Sequence, residues 1–167
     1  ARTLYGVVGF KNLAIGILPV FPDGRIVLVG QHRFPLGDYS WEIPEGGAPV
    51  GSDPLEGARR ELAEEAGLQA GEWIEALRFQ LSNSISDERG LGFVAWDLSP
   101  SPGRPDPTEA LAMAAVSFME ALELALAGRI QDLITVAMLF RAYHMACEGQ
   151  LPGPLAHAML ARNGETR

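Results

Sequence analysis

The sequence predicts an α/β fold, an α/β/α sandwich in which a mixed β-sheet lies between helices. Three observations carry that expectation. Apolar, β-branched runs at Asn12–Val20 and Arg25–Gln31 flank a turn, a well-capped helix sits between further strand-like runs, and a strongly apolar helical stretch spans Gln131–Glu148. A chain of 167 residues can bury a substantial core without disulfide staples. No repeat or linker divides it, so residues 1–167 are expected to form a single domain.

Asn12 to Val20, the turn Phe21-Pro22-Asp23-Gly24 and Arg25 to Gln31 together read as a β-hairpin. Tyr39 to Pro44 is expected as a short strand running into a loop at Gly46-Gly47. The helix that follows, from about Asp53 to Ala66, has its ends written in local chemistry. Asp53 suits the N-cap, Pro54 the first helical position, Glu56 a capping box, and Gly67 a left-handed stop. Leu55, Ala58, Leu62, Ala63 and Ala66 give this helix an apolar stripe.

Trp73 to Ser82 and Leu91 to Leu98 are further strands, separated by the polar segment Asn83 to Gly90. Pro100 to Pro107 is a proline-rich surface connection. Leu111 to Phe118 reads as a strand, although its alanines and methionine leave helix open. Met119 to Ala127 is a helix stopped by Gly128, and Gln131 to Glu148 is a second one, read as core and as a surface for subunit contact. Beyond a Pro- and Gly-rich stretch, Leu155 to Arg162 is a short helical piece.

The net charge of −8 argues against a duplex nucleic-acid partner, which needs a basic face. An anionic small molecule is compatible with it, because bound cations invert the field of an acidic site. Lys11 is the only lysine, and the other basic residues are arginines, whose planar forks suit phosphate. The single cysteine, Cys147, is expected as a packed thiol in an apolar helix. The absence of cysteine pairs, of a signal peptide and of a long uncharged apolar segment points to a cytoplasmic protein with no membrane partner. Ala1 in place of a methionine suggests that part of the natural N-terminus is missing.

The helix from Asp53 carries the chemistry. Glu61 and Glu65 stand one turn apart with Glu64 beside them, and Glu56 adds a further acid. At an effective dielectric near 20, a like-charged pair about 4 Å apart costs roughly 4 kcal/mol, more than helix propensity returns. A divalent cation relieves that repulsion. The competing reading is a solvated acidic face partly neutralised by Arg59 and Arg60. Gly46-Gly47, the cap, Arg60-Glu61 and Glu64-Glu65-Ala66-Gly67 fall in one register, which favours the metal site.

Residues 46–68 resemble the Nudix box: Gly, five residues, Glu, seven residues, then Arg-Glu-apolar-x-Glu-Glu-x-Gly-apolar. Gly46, Arg60, Glu61, Glu64, Glu65 and Gly67 match. Ser52 stands where the box has its first Glu, a residue thought in the family to support the box arginine and the loop geometry. It carries no charge, so Arg60 is expected to lean on Asp53, Glu56 or Glu61 instead, with lowered or altered activity.

The resemblance implies a Nudix fold over roughly Asn12 to Glu148 and a Mg2+-dependent pyrophosphohydrolase, with Mn2+ as a substitute. Its metal ligands would be Glu61, Glu64 and Glu65 together with the backbone carbonyl of Glu45, and Arg60 and Glu64 count among its catalytic residues. Ser82-Asn83-Ser84-Ile85-Ser86-Asp87-Glu88 resembles the Ser-Pro-Gly-x-Ser-Asp-Glu loop of the ADP-ribose pyrophosphatase branch, with Asn83-Ser84 in place of Pro-Gly. By that likeness Glu88 is a candidate base or additional metal ligand; otherwise it is a solvated loop glutamate.

Gln31-His32-Arg33 and Trp41-Glu42-Ile43-Pro44 also look like this branch. Arg33, Trp41 and Glu42 are therefore candidate substrate-binding residues, with Arg33 clamping a diphosphate and Phe34 or Trp41 packing on base or sugar. The plainer alternatives are a solvated strand-end arginine and a core tryptophan. His32, His144 and His157 have no metal-ligand spacing. ADP-ribose is the leading substrate, ahead of another nucleoside diphosphate sugar such as GDP-mannose, a dinucleoside polyphosphate or a nucleoside triphosphate. A Nudix-like binding domain without turnover is the reading from a different class. Relatives of this branch are usually homodimers, and the apolar C-terminal helices at about 119–148 permit that.

Overall fold

The computed structural model describes residues 4–102 and 111–161. Its elements run β1 (Asn12–Pro19), β2 (Arg25–Arg33), β3 (Asp38–Glu42), β4 (Glu45–Pro49), α1 (Pro54–Ala66), β5 (Leu68–Gln80), β6 (Arg89–Pro100), β7 (Ala112–Ser117), α2 (Phe118–Leu126), α3 (Leu133–Cys147) and α4 (Gly153–Leu160). The strands form a four-stranded mixed sheet in the order β4-β1-β6-β5 and a three-stranded antiparallel sheet in the order β3-β2-β7. In the larger sheet β1 and β6 are parallel, while the β4 and β5 edges are antiparallel to their neighbours.

This topology corrects the expected hairpin. The turn after β1 forms, with Gly24 at φ 80, but the flanking strands join different sheets and share only the bridge Val20↔Ile26. Both strands are apolar on both faces, so each can be buried between layers rather than paired with its sequence neighbour. The loop expected at Gly46-Gly47 is also a strand, β4, annealed to β1 in register Asn12↔Pro49 through Gly16↔Glu45. Glu-Gly-Gly-Ala-Pro is poor in strand-forming residues, and the partner strand supplies the order. Strand β5 begins at Leu68, directly after the α1 stop and five residues before the expected Trp73.

Helix α1 begins and ends as its sequence dictates: the Asp53 side chain accepts from the Leu55 N–H, and Gly67 closes it at φ 62. Glu56 does not close a capping box in the observed bonds but pairs with Arg59 at 2.5 Å. Leu111–Phe118 resolves as strand β7, and α2 and α3 lie close to their expected spans. Cys147, expected as packed, is exposed, because the last turn of α3 rotates it away from the core. Arg104, Pro105 and Pro107 of the expected connection, and Arg162 at the end of the last helical piece, lie outside the described residues. No helix among the described residues is long and apolar enough to cross a membrane.

The four-stranded sheet has a core on each face. Ile15 and Ile17 of β1 with Leu91 and Phe93 of β6 pack against Ala58, Leu62 and Ala66 of α1. On the other side Leu18 and Val94 meet Ile134, Met138 and Leu139 of α3, with α2 and α4 behind. Two glycines decide how close α3 comes. Gly16 and Gly92 are paired across β1 and β6; a Cβ at Gly16 would lie 2.6 Å from Ile134 Cγ2, and one at Gly92 2.1 Å from Met138 Sδ. The bare backbone is a trough into which α3 sinks, which carries the N-terminus of α3 to the end of β3. Gly16→Ala is expected to cost about 1–3 kcal/mol through overpacking, read as a lower urea midpoint at unchanged slope.

Candidate active site

The loop and strand before α1 bring the box together. Gly46 faces the helix so closely that a Cβ there would lie 1.9 Å from Glu61 Cδ. The Glu61 carboxylate fills that space, is buried, and accepts from the Gly47 N–H at 3.0 Å. One turn on, Glu65 accepts from the Glu45 N–H at 2.8 Å. Arg60 closes the front: its Nη2 donates to the Gly47 carbonyl at 2.8 Å and to Glu61 at 2.5 Å, and its Nη1 reaches Glu64 at 2.6 Å.

Of the three partners considered for Arg60, Glu61 is therefore the one used, with Glu64 beside it. Burial weighs against the Arg60 charge, yet Glu61 and Glu64 together hold the guanidinium above its ordinary pKa. Ser52 takes no part; its hydroxyl donates to the Pro49 carbonyl at 2.7 Å and tightens the turn before the cap.

The repulsion expected among the glutamates is thus relieved in part from within the chain. Among the described residues no three His, Cys, Asp or Glu side chains gather as a ready metal-holding cluster, since Arg60 draws Glu61 and Glu64 while Glu65 turns to the β4 backbone. The donor chemistry nevertheless fits a hard divalent cation. Carboxylate oxygens from Glu61, Glu64 and Glu65 are supplied by one face of one helix, and the space beside Gly46 is taken by the Glu61 carboxylate because Gly46 has no Cβ.

A second acidic group adjoins the first. At the end of β3 the buried Glu42 receives two hydrogen bonds from Arg33, one from Nε at 2.9 Å and a closer one from Nη2. That bidentate bond is the chief reason the Arg33 pKa is raised. Thr135, fully buried in the first turn of α3, accepts from the Ile43 N–H at 3.0 Å and donates to Glu45 Oε1 at 3.3 Å. Asp132 caps α3 by accepting from the Thr135 N–H at 2.7 Å. Burial, followed by the neighbouring Asp132 and Glu42, pushes the Glu45 carboxyl well above its usual range.

A cavity of about 570 Å3 opens beside this group, walled by Arg33, Tyr39, Trp41, Glu42, Arg129 and Asp132. Tyr39 and Trp41 stand edge to face in it, with ring centroids 5.8 Å apart. Arg33, Trp41 and Glu42 are thus brought together as expected, whereas Glu61, Glu64 and Glu65 lie outside the cavity wall, as does Glu45, whose N–H bonds Glu65 and whose carboxyl bonds Thr135. Sequence reading missed Asp132, Thr135 and Arg129. The signal for the first two was the Asp-x-x-Thr start of an apolar helix, which has the form of an N-cap.

Glu88 precedes β6. Gly90 pairs with Ala14, whose other neighbour is Gly47, so the start of β6 lies two strand spacings from the box glycines in β4, about 10 Å between backbones. The Glu88 carbonyl accepts from the Leu81 N–H at 3.1 Å, which closes the intervening loop at its base.

The NUDIX domain family model matches residues 11–135, most of the chain and all of the geometry just described. The chain belongs to the Nudix family. It is an enzyme of the pyrophosphohydrolase type. Among curated relatives, an ADP-ribose pyrophosphatase of Mycobacterium tuberculosis is 32% identical over 146 residues, covering 85% of this chain and 70% of the relative. One of Bacillus subtilis is 32% identical over 121 residues, covering 71% of this chain and 65% of the relative. A crystal structure of an ADP compounds hydrolase superposes with TM-score 0.76 at 22% identity, over 86% of this chain and 77% of that one, a likeness of fold.

The raised Glu45 carboxyl makes stability depend on pH. Its folded pKa lies above the ordinary 4.5, so its contribution is complete below that value and is lost as pH rises through the folded one. Glu45→Gln, which keeps an acceptor for Thr135, is expected to gain more stability over the parent at pH 8 than at pH 4 in chelator-treated buffer. Equal gains at the two pH values in chemical denaturation would contradict an upward shift of the Glu45 carboxyl.

Proposed function

We propose that this Nudix enzyme hydrolyses the diphosphate bond of a nucleoside diphosphate linked to a sugar, ADP-ribose foremost, to AMP and a sugar phosphate in a Mg2+-dependent reaction. The observation that carries this reading is the cavity of about 570 Å3 beside the Glu42 and Asp132 carboxylates, with a preset arginine and an aromatic pair on its wall. Its size lies within the span typical of small-molecule sites. The names of the two bacterial relatives support the same substrate class.

Glu61, Glu64 and Glu65, with the Glu45 carbonyl, would hold the cation. When bound, it neutralises diphosphate charge and lowers the pKa of a water. Arg33 is oriented by Glu42 through Nε and Nη2, which leaves its Nη1 edge to meet a phosphoryl oxygen. Trp41 and Tyr39 offer ring surface to base or ribose. Arg60 holds Glu61 and Glu64 in place, and Glu88 takes the proton from the attacking water. The exposed Leu36 and Leu133 at the cavity rim, with the exposed Phe34 next in sequence to the lining Arg33, are proposed to be covered in a homodimer. Sedimentation at twice the 18.0 kDa chain mass is the expected outcome.

Ser52 and the Arg60 contacts favour a second reading, a domain that binds without turning over. A panel of ADP-ribose, nucleoside diphosphate sugars, diadenosine tetraphosphate and deoxynucleoside triphosphates with Mg2+ decides between them. Release of AMP from ADP-ribose is the expected result; binding without any monophosphate released supports the inactive domain. Glu65→Gln is expected to lower turnover by orders of magnitude and to weaken Mn2+ binding in titration while the fold persists. Unchanged turnover and Mn2+ affinity would remove Glu65 from the metal site.

A further inference from the structure

Residues 4–10 precede β1 and run along the segment between β5 and β6, to which they are tied by two backbone hydrogen bonds and two that each use one side chain. The Val8 N–H donates to the Ile85 carbonyl at 2.8 Å, the Asp87 N–H donates to the Val8 carbonyl at 3.3 Å, and Val8 and Ser86 form a parallel bridge. The Phe10 N–H donates to Asp87 Oδ1 at 2.8 Å, and the Tyr5 hydroxyl donates to the Ser84 carbonyl. The loop itself is bent tightly: Ser82 lies at φ 43, the Ser86 hydroxyl donates to the Leu81 carbonyl at 3.1 Å, and Asp87 is followed immediately by Glu88.

Core burial does not account for this strap. Leu4, Tyr5, Val7, Val8 and Phe10 are all exposed, Leu4 completely, and none belongs to either core cluster. Hydrogen bonds at such exposed sites add little to global stability, but they set where one short segment can sit. An eight-residue loop between long antiparallel strands would otherwise sample many conformations, and a base displaced by about 1 Å can cost on the order of a hundredfold in rate.

We infer that the strap of residues 5–10, with Asp87 as its anchor on the loop, is a positioning device that holds Glu88 at the reaction centre. Asp87 is a positioning residue in this scheme, acting through its neighbour. The inference rests on the proposed role of Glu88.

Two variants cut the strap at different bonds. Asp87→Ala removes the acceptor for the Phe10 N–H, and Val8→Pro removes the donor to Ile85. Asp87→Asn keeps an oxygen in place of Oδ1 and serves as the conservative rescue. With ADP-ribose and Mg2+, Asp87→Ala and Val8→Pro are each expected to lower kcat about tenfold to a hundredfold with KM within about twofold, and Asp87→Asn to stay near the parent. In the same two variants the amides of residues 85–88 should exchange faster while those of β1 stay protected.

Normal kcat in both variants, a loss that falls equally on KM, or unchanged exchange of the loop amides would each overturn the positioning role. Glu88→Gln separates the two levels. If it is inactive while the strap variants turn over normally, the strap alone fails; if it is fully active, the base assignment fails and the catalytic meaning of the strap fails with it.

Discussion

A carboxylate packed against the bare backbone of β4 is the constraint on which the site depends. Glu61 is 8% exposed, and a charge so placed is tolerable only when donors are fixed around it. The Gly47 N–H and Arg60 are those donors, and the missing side chain at Gly46 is the room they share. Sliding α1 along β4 by one residue would strand the charge. The same contact therefore seats Ala58, Leu62 and Ala66 against the sheet and presents Glu64 and Glu65 at the rim.

The second half of the site is delivered by packing on the opposite face. Because β1 and β6 place Gly16 beside Gly92, α3 descends onto bare backbone, and its first turn reaches the end of β3. Thr135 then satisfies the Ile43 N–H and touches Glu45, while Asp132 arrives with a negative charge of its own. Three acids, Glu42, Glu45 and Asp132, converge on a region where Arg33 is the paired cation. Burial and the neighbouring Asp132 and Glu42 push the Glu45 carboxyl upward, so of the three acids it is the one whose ionisation the site opposes. Arg33 is thereby preset toward the cavity by a partner that no solvent competes for, since Glu42 is 2% exposed.

Features governed by neighbours along the chain were legible in advance. The cap at Asp53, the stop at Gly67, the α1 stripe and the register of Arg60, Glu61, Glu64 and Glu65 all follow from interactions spanning a few residues. Features governed by distant partners were not. β4 is a strand only because β1 lies alongside, and the Phe21–Gly24 turn joins two sheets because β1 finds better partners in β4 and β6 than in β2. Cys147 is apolar in context yet exposed, since helical periodicity near a C-terminus does not say which side the core ends on.

By itself the sequence determined the family-bearing helix, its ends and the kinds of side chain it presents, because capping, helical spacing and charge are local properties of the chain. Only the tertiary structure decided that Arg60 closes on Glu61 and Glu64, that Asp132 and Thr135 join Glu45, and that residues 5–10 bond to the loop before Glu88. Those pairings span up to ninety residues of chain or turn on which of several nearby partners wins. Their outcome is set by which groups burial leaves without water, a quantity that exists only once the layers have packed.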